Sequence, residues 1–332
     1  MNDRQRRKMD LLLVRFVEAM TAWNWSKRTI PAYDQNVRVF LDWLGKETDI
    51  TSLAEVTPET LASYQVALLS EETPRREGGR DGSRDPGHPE TAGRRLSTST
   101  QHTRLGAVRA FFGFLAGEGR LLINPARQLQ LPKRRKALPQ ALLTPAEAIR
   151  LVESADTSTP LGLRDRAILE VLYSTGVRAS ELCALTISDL DTASGTLMVR
   201  CGKGDKDRVV PLGPVAADVL GDYVAKARPK LLLKKTTPEV FVSKRGEALH
   251  RNNLAAIVAR AARRAGLTKP IRPHRLRHAC ATHMLRGGAD IRHIQKLLGH
   301  ASLSSTQIYT HVEVSDLKAV HRRFHPRERG LR

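Results

Sequence analysis

The sequence predicts a mainly α protein with a small β-sheet, arranged in two domains. Three observations predict it. Apolar residues recur at three- and four-residue steps over most of the chain. Two short runs, 196–201 and 207–212, read as strands around a loop carrying Gly and Asp. A Pro-bounded basic segment separates a helical first part from a mixed second part. At 332 residues the chain is also long for one core.

The first part reads as a small helical bundle over 1–130. After Ser26, the residues Ile30, Tyr33, Val37, Phe40, Leu41 and Leu44 form one helical face, with Gly45 placed as a C-terminal cap. Thr57-Pro58-Glu59 reads as an N-cap with Pro at the first helical position, opening a helix through Leu69. Leu105, Val108, Phe111, Phe112 and Leu115 make another stripe that ends near Gly117 and Gly119. Residues 71–96 interrupt the bundle. They are rich in Gly, Pro, Arg, Asp and Glu and nearly free of apolar side chains, so they read as a flexible insertion.

Residues 131–143 read as a basic linker. Pro132 and Pro139 bracket Lys133-Arg134-Arg135-Lys136, and Thr144-Pro145-Ala146-Glu147 then opens a helix with a capping box. The second domain, 144–332, is expected to hold a helix ending at Gly176, a new helix from about Arg178, the two strands, and helices again from 251 onward.

Charge narrows the function. Lys and Arg number 55 against 34 Asp and Glu, a formal +21. Such an imbalance draws a polyanion, and neutralised phosphates release counterions. Nucleic acid is the expected partner; no long apolar run, signal peptide or lipidation motif supports a membrane. Cys183, Cys201 and Cys280 form no disulfide framework and fit a reducing, cytoplasmic setting as small core residues.

Eight of the eleven histidines lie beyond residue 270. His274, Arg277 and His278 share one side of a helix in PHRLRHACATH. The pair His274 and His278 has zinc-ligand spacing, but Arg275 stands where a zinc protease needs Glu, and Arg277 would repel a cation. No metal and no cofactor is expected. His283, His293, His311, His321 and His325 read as structural.

An anionic substrate fits better. Arg178 and Arg277 offer two planar forks for phosphate oxygens and for the charge of a pentacoordinate transition state. His274 and His300 can donate hydrogen bonds or move protons. Lys203, at the hairpin tip, can protonate a leaving alkoxide. Tyr309 would be the nucleophile, its phenol, of pKa about 10, activated by the surrounding cations and a histidine base.

STGVRASELCAL, GKGDKDRVVPL, HRLRHACATHML and LLGHASLSSTQIYTHV, in this order, resemble the tyrosine recombinase or phage integrase family, and within it the Xer-type bacterial recombinases. The resemblance spans about 144–326 and, more weakly, the helical part. It implies an N-terminal SAM-like core-binding domain and a C-terminal mixed α+β catalytic domain closing as a clamp on duplex DNA. It implies catalytic Arg178, Lys203, His274, Arg277, His300 and the nucleophile Tyr309, with Glu181 in a supporting acidic position and His278 structural. It further implies a 3′-phosphotyrosyl link, strand exchange through a four-way junction without ATP, and a homotetramer or heterotetramer with a related recombinase. An accessory activator is compatible with it. So is either biological task, dimer resolution (chromosome partition) or mobile-element integration.

Two further expectations attach to the resemblance. Val314, Leu317, Val320 and Phe324 form an apolar stripe whose helix docks on a neighbouring protomer in the family, the alternative being its own domain. The insertion at 71–96 is longer than the family pattern and bears on how the first domain tracks DNA. Three rivals stand beside the recombinase reading: a type IB topoisomerase-like enzyme, a non-catalytic basic DNA-binding protein, and a metal-dependent nuclease.

Overall fold

The computed structural model describes residues 3–26, 29–71, 95–133, 143–200, 207–299 and 311–329. The chain divides into two compact units, Met1–Leu138 and Pro139–Arg332. Most of the insertion, most of the basic linker, and Lys203, His300 and Tyr309 lie outside the described residues.

The first unit packs four helices: α1 (Asp3–Ala22), α2 (Thr29–Glu47), α3 (Pro58–Ser70) and α4 (Thr98–Gly117). Phe16, Phe40, Phe111 and Phe112 are fully buried at its centre. Thr57 caps α3 by accepting from the Thr60 amide at 3.3 Å, with Pro58 following as expected. Gly45 does not end α2. The helix runs two residues further, and the Thr48 hydroxyl closes it by donating to the Leu44 carbonyl at 2.7 Å. The two ends of the insertion are held together, since the Leu96 amide donates to the Glu71 carbonyl at 3.2 Å and Arg104 pairs with the Glu71 carboxylate.

The second unit opens with α5 (Pro145–Glu153), where Thr144 and Glu147 make the anticipated reciprocal capping box. Next come α6 (Pro160–Thr175) and α7 (Ala179–Ala184). Every residue from Ala167 to Val177 is buried, so α6 is the central helix, with α5, α8 (Pro214–Asp222) and α11 (Pro273–Arg286) packed around it. Gly176 ends it in the left-handed conformation at φ 63°.

The sheet is antiparallel and three-stranded, in the order β1 (Leu190–Asp191), β2 (Thr196–Val199), β3 (Arg208–Pro211). The strands are shorter than the runs 196–201 and 207–212, and β1 was not anticipated, because two residues carry no readable alternation. Val199 pairs with Arg208, which closes the connection that carries Lys203. A π-helical turn, Tyr223–Ala227, joins α8 to α9 (Arg228–Leu231). The described residues also form α10 (Arg251–Arg264), α12 (Ile291–Leu298), α13 (His311–Phe324) and α14 (Pro326–Arg329).

Helix α13 packs on its own domain. Leu317 is buried, and Val320 and Phe324 lie against the core of the second unit. Arg327 of α14 reaches Glu153 and the fully buried Glu170, each at 2.7 Å.

Candidate active site

The site begins where α6 stops. The last carbonyls of a helix have no partner within it, and here side chains from distant segments supply one. The Tyr173 carbonyl accepts from His325 Nε2 at 3.0 Å, the Ser174 carbonyl from His321 Nε2 at 2.7 Å, and the Gly176 carbonyl from Arg277 Nη1 at 2.7 Å. A Cβ on Gly176 would sit 2.7 Å from the Leu298 side chain, so glycine is required both by its φ and by the approach of α12.

Two residues later the chain presents Arg178, the N-cap residue of α7. Its backbone amide donates to Glu181 Oε2 at 2.8 Å and its Nη1 to Glu181 Oε1 at 2.6 Å. Arg208 of β3 binds the same carboxylate with both terminal nitrogens, at 3.1 and 2.7 Å. Burial alone would push the Glu181 carboxyl up. Hydrogen bonds and charge from Arg208 and Arg178 outweigh it and hold it down to about 2.

The C-terminal end of α12 gathers the arginines. Leu297, Leu298 and Gly299 offer three successive carbonyls; Arg208 Nε donates to the first at 3.1 Å, Arg277 Nη2 to the second at 2.7 Å and Arg178 Nη2 to the third at 3.1 Å. Cations at this end also suit the helix dipole. Burial, and next the charge of Arg178, bring the Arg277 guanidinium down to about 10, which leaves it a cation at neutral pH. Side-chain exposure is 26% for Arg178, while Arg277 and Arg208 are buried, so Arg178 is the most open of the three.

His274 and His278 lie on α11 with exposed side chains, while Arg277, on the same side of the helix, is buried against the ends of α6 and α12. The structure thus brings Arg178, Glu181 and Arg277 together and sets His274 one turn before Arg277 on the same helix. Among the described residues, no group of three or more His, Cys, Asp or Glu has metal-ligand geometry.

Residues 141–315 match the family model described as the phage integrase family. The chain is 41% identical over 320 residues to tyrosine recombinase XerC 2 of Ralstonia nicotianae, covering 95% of this chain and 87% of that protein. The chain belongs to the phage integrase family of tyrosine recombinases. It is accordingly an enzyme of DNA strand cleavage and rejoining, acting in site-specific recombination. It is also 39% identical to tyrosine recombinase XerD of Listeria innocua over 303 residues, or 91% of this chain and 94% of the relative. In fold, the recombinase is similar to the XerH site-specific recombinase bound to difH substrate, with TM-score 0.64, 21% identity and coverage of 96% and 82%. A lambda integrase tetramer bound to a Holliday junction gives TM-score 0.63 at 18% identity, covering 94% and 78%.

Arg208 escaped the sequence reading, which took it only as part of a strand. Its signal was present: Arg208 and Val210 alternate onto the buried face of β3, so one inward position of an apolar strand is a cation. His283, His321 and His325 are structural, as expected. His283 Nε2 donates to the Leu143 carbonyl at 2.7 Å, which leaves Nδ1 to accept from the Tyr173 hydroxyl at 3.0 Å. The His321 and His325 rings stack with centroids 4.7 Å apart. Cys183 and Cys280 carry free thiols pushed up by burial, to about 11 and about 12, as fits packing residues.

Proposed function

We propose that this recombinase cuts duplex DNA at a specific site through Tyr309, forming a 3′-phosphotyrosyl link and freeing a 5′-hydroxyl. The observation that carries the reading is the seating of Arg178 and Arg277 on the consecutive carbonyls of Gly299 and Leu298, immediately before His300. Such a pairing supports two neighbouring guanidinium groups acting on a single phosphodiester.

Each step then has a residue. The Tyr309 oxygen attacks phosphorus and loses its proton, with His274 and His300 as hydrogen-bonding and proton-transfer groups. Arg178 and Arg277 stabilise the charge on the equatorial oxygens, and Glu181 orients Arg178. Lys203 delivers a proton to the departing 5′-oxygen. The 5′-hydroxyl of the partner strand later attacks the phosphotyrosine and restores a phosphodiester. Each broken ester is replaced by another, so no ATP is consumed.

The other tyrosines support the choice of Tyr309. The Tyr64, Tyr173 and Tyr223 side chains are fully buried and their phenols pushed up by burial. Tyr33 packs edge-on against Trp25 in the first unit. The first unit would bind the core of the DNA site, and four protomers, identical or from two related recombinases, would work on two sites through a four-way junction. The relatives bound to difH substrate and to a Holliday junction support this assembly. No helix among the described residues is long and apolar enough to cross a membrane, and we place the recombinase in the cytoplasm, on chromosomal or mobile-element DNA.

The test is a nicked suicide duplex carrying source-genome fragments, incubated in excess chelator and run on a denaturing gel. A covalent adduct in wild type but not in Tyr309→Phe is expected, and the trapped fragment reports the site and hence the task. Tight binding with no adduct would favour a non-catalytic DNA-binding role; an adduct that Tyr309→Phe retains would reassign the nucleophile.

A further inference from the structure

We propose that Arg208 is a positioning residue for strand cleavage, holding Arg178 in place through Glu181 and keeping it from being neutralised. The inference rests on the reading of Arg178 as a phosphate ligand.

A buried ion pair is seldom kept for stability alone, since an apolar replacement of similar volume is often as stable. Arg208 is 3% exposed, on a strand face otherwise filled by Val210. What it adds is direction. Its fork takes both oxygens of Glu181, which also receive the Arg178 amide and Nη1. Four N–H donors on one carboxylate use the whole of its accepting capacity. Glu181 therefore has one orientation, and Arg178 inherits it.

Arg208 also ties together segments that no local contact would align. Its Nε donates to the Leu297 carbonyl, the first of the three arginine-bound carbonyls that precede His300. A Cβ on Gly299 would lie 3.1 Å from its Cδ, Nε and Nη1, so the left-handed turn at Gly299 is built around this side chain. Its pairing with Val199 closes the base of the connection that carries Lys203.

Charge gives the second half of the effect. Alone with Glu181, Arg178 would form a neutral pair. With Arg208 sharing that carboxylate, the Arg178–Glu181–Arg208 group keeps a net positive charge beside Arg277, toward a phosphate.

The experiment compares wild type, Arg208→Met, Arg208→Lys and Glu181→Gln on a nicked suicide duplex containing the captured site. It reads the single-turnover rate of adduct formation at saturating DNA, the Kd for intact duplex and the melting temperature. Arg208→Met is expected to slow cleavage about 100-fold, in the range of losing one oriented donor, with Kd changed less than about threefold. Arg208→Lys, with the charge but not the fork, falls between. The double variant Glu181→Gln/Arg208→Met should be no slower than the slower single variant.

A scissile methylphosphonate, which lacks the negative charge that Arg178 engages, should shrink the Arg208→Met defect at least fivefold. A purely structural role leaves that defect equal on both substrates and multiplies with Glu181→Gln, and either result overturns the proposal. If Arg208→Met fails to fold, Arg208→Lys decides: a wild-type rate overturns it, and a slowed rate that recovers on methylphosphonate supports it. Tyr309→Phe and Arg178→Lys serve as controls. An adduct from the former, or an unslowed rate from the latter, sinks the underlying active-site reading whatever Arg208 does.

Discussion

Arg178 Nη2 donates to the Gly299 carbonyl at 3.1 Å across 121 residues of sequence. One bond thus joins the start of α7 to the turn that leads into His300. Arg277 makes the neighbouring bond to Leu298 from α11. Helix termini that would otherwise need water are capped by the groups proposed to meet the phosphate, so folding this region and assembling these cations are one event.

Gly299→Ala should lower both stability and cleavage. The residue sits at φ 63°, and the added Cβ would crowd Arg208 at 3.1 Å. The backbone cost alone is about 1 kcal/mol. Chemical denaturation should show a loss of that order, and adduct formation should slow with Arg208 displaced.

Arg277→Ala should destabilise the second unit by about 2–3 kcal/mol, because it strands two buried carbonyls, those of Gly176 and Leu298. The same variant should form no adduct at a temperature where it remains folded. Denaturant melts paired with the suicide-substrate gel separate the two effects.

Glu181→Gln leaves Arg208 buried beside a neutral partner, at a cost of about 3 kcal/mol. Wild-type Glu181 is held at about 2 in the folded chain. The stability it contributes is complete above the unfolded value of about 4.3 and is lost as pH falls through that value toward 2. Urea melts from pH 6 to 3 should therefore decline more steeply in wild type than in Glu181→Gln.

His283, His321 and His325 predict a loss of stability at milder acidity. Burial pushes all three rings down, His321 to about 4. They are neutral when folded but bind protons in the unfolded chain below about 6.5. Their contribution is complete above that value and drains away as pH falls from it toward 4. Glu328, pushed up by burial and by Glu170, acts with opposite sign. Calorimetry from pH 7.5 to 4.5 should show a falling melting temperature, with a shallower slope in His321→Gln.

Local features of the fold were legible because their causes are local. Thr57, Thr144 and Gly176 mark helix ends within a few residues of the groups they bond. Gly45 misled, because a glycine inside α2 is tolerated while Thr48 closes the helix. Within the described residues, the sequence motifs led to Arg178, Glu181 and Arg277. They did not lead to Arg208, whose partners lie 27 and 89 residues away and leave no short-range pattern. The apolar stripe of α13 was read correctly as apolar, but apolarity does not name its partner; in this chain Leu317, Val320 and Phe324 cover their own domain.

In the proposed reaction Tyr309 carries the DNA. The most direct measurement traps the adduct on a nicked duplex, digests it with nuclease and trypsin, and locates the residual nucleotide by mass spectrometry among the five tyrosines. The modification is expected on Tyr309, in the tryptic peptide Leu297–Lys318. A nucleotide on Tyr33, Tyr64, Tyr173 or Tyr223, or on a residue other than tyrosine, would contradict it.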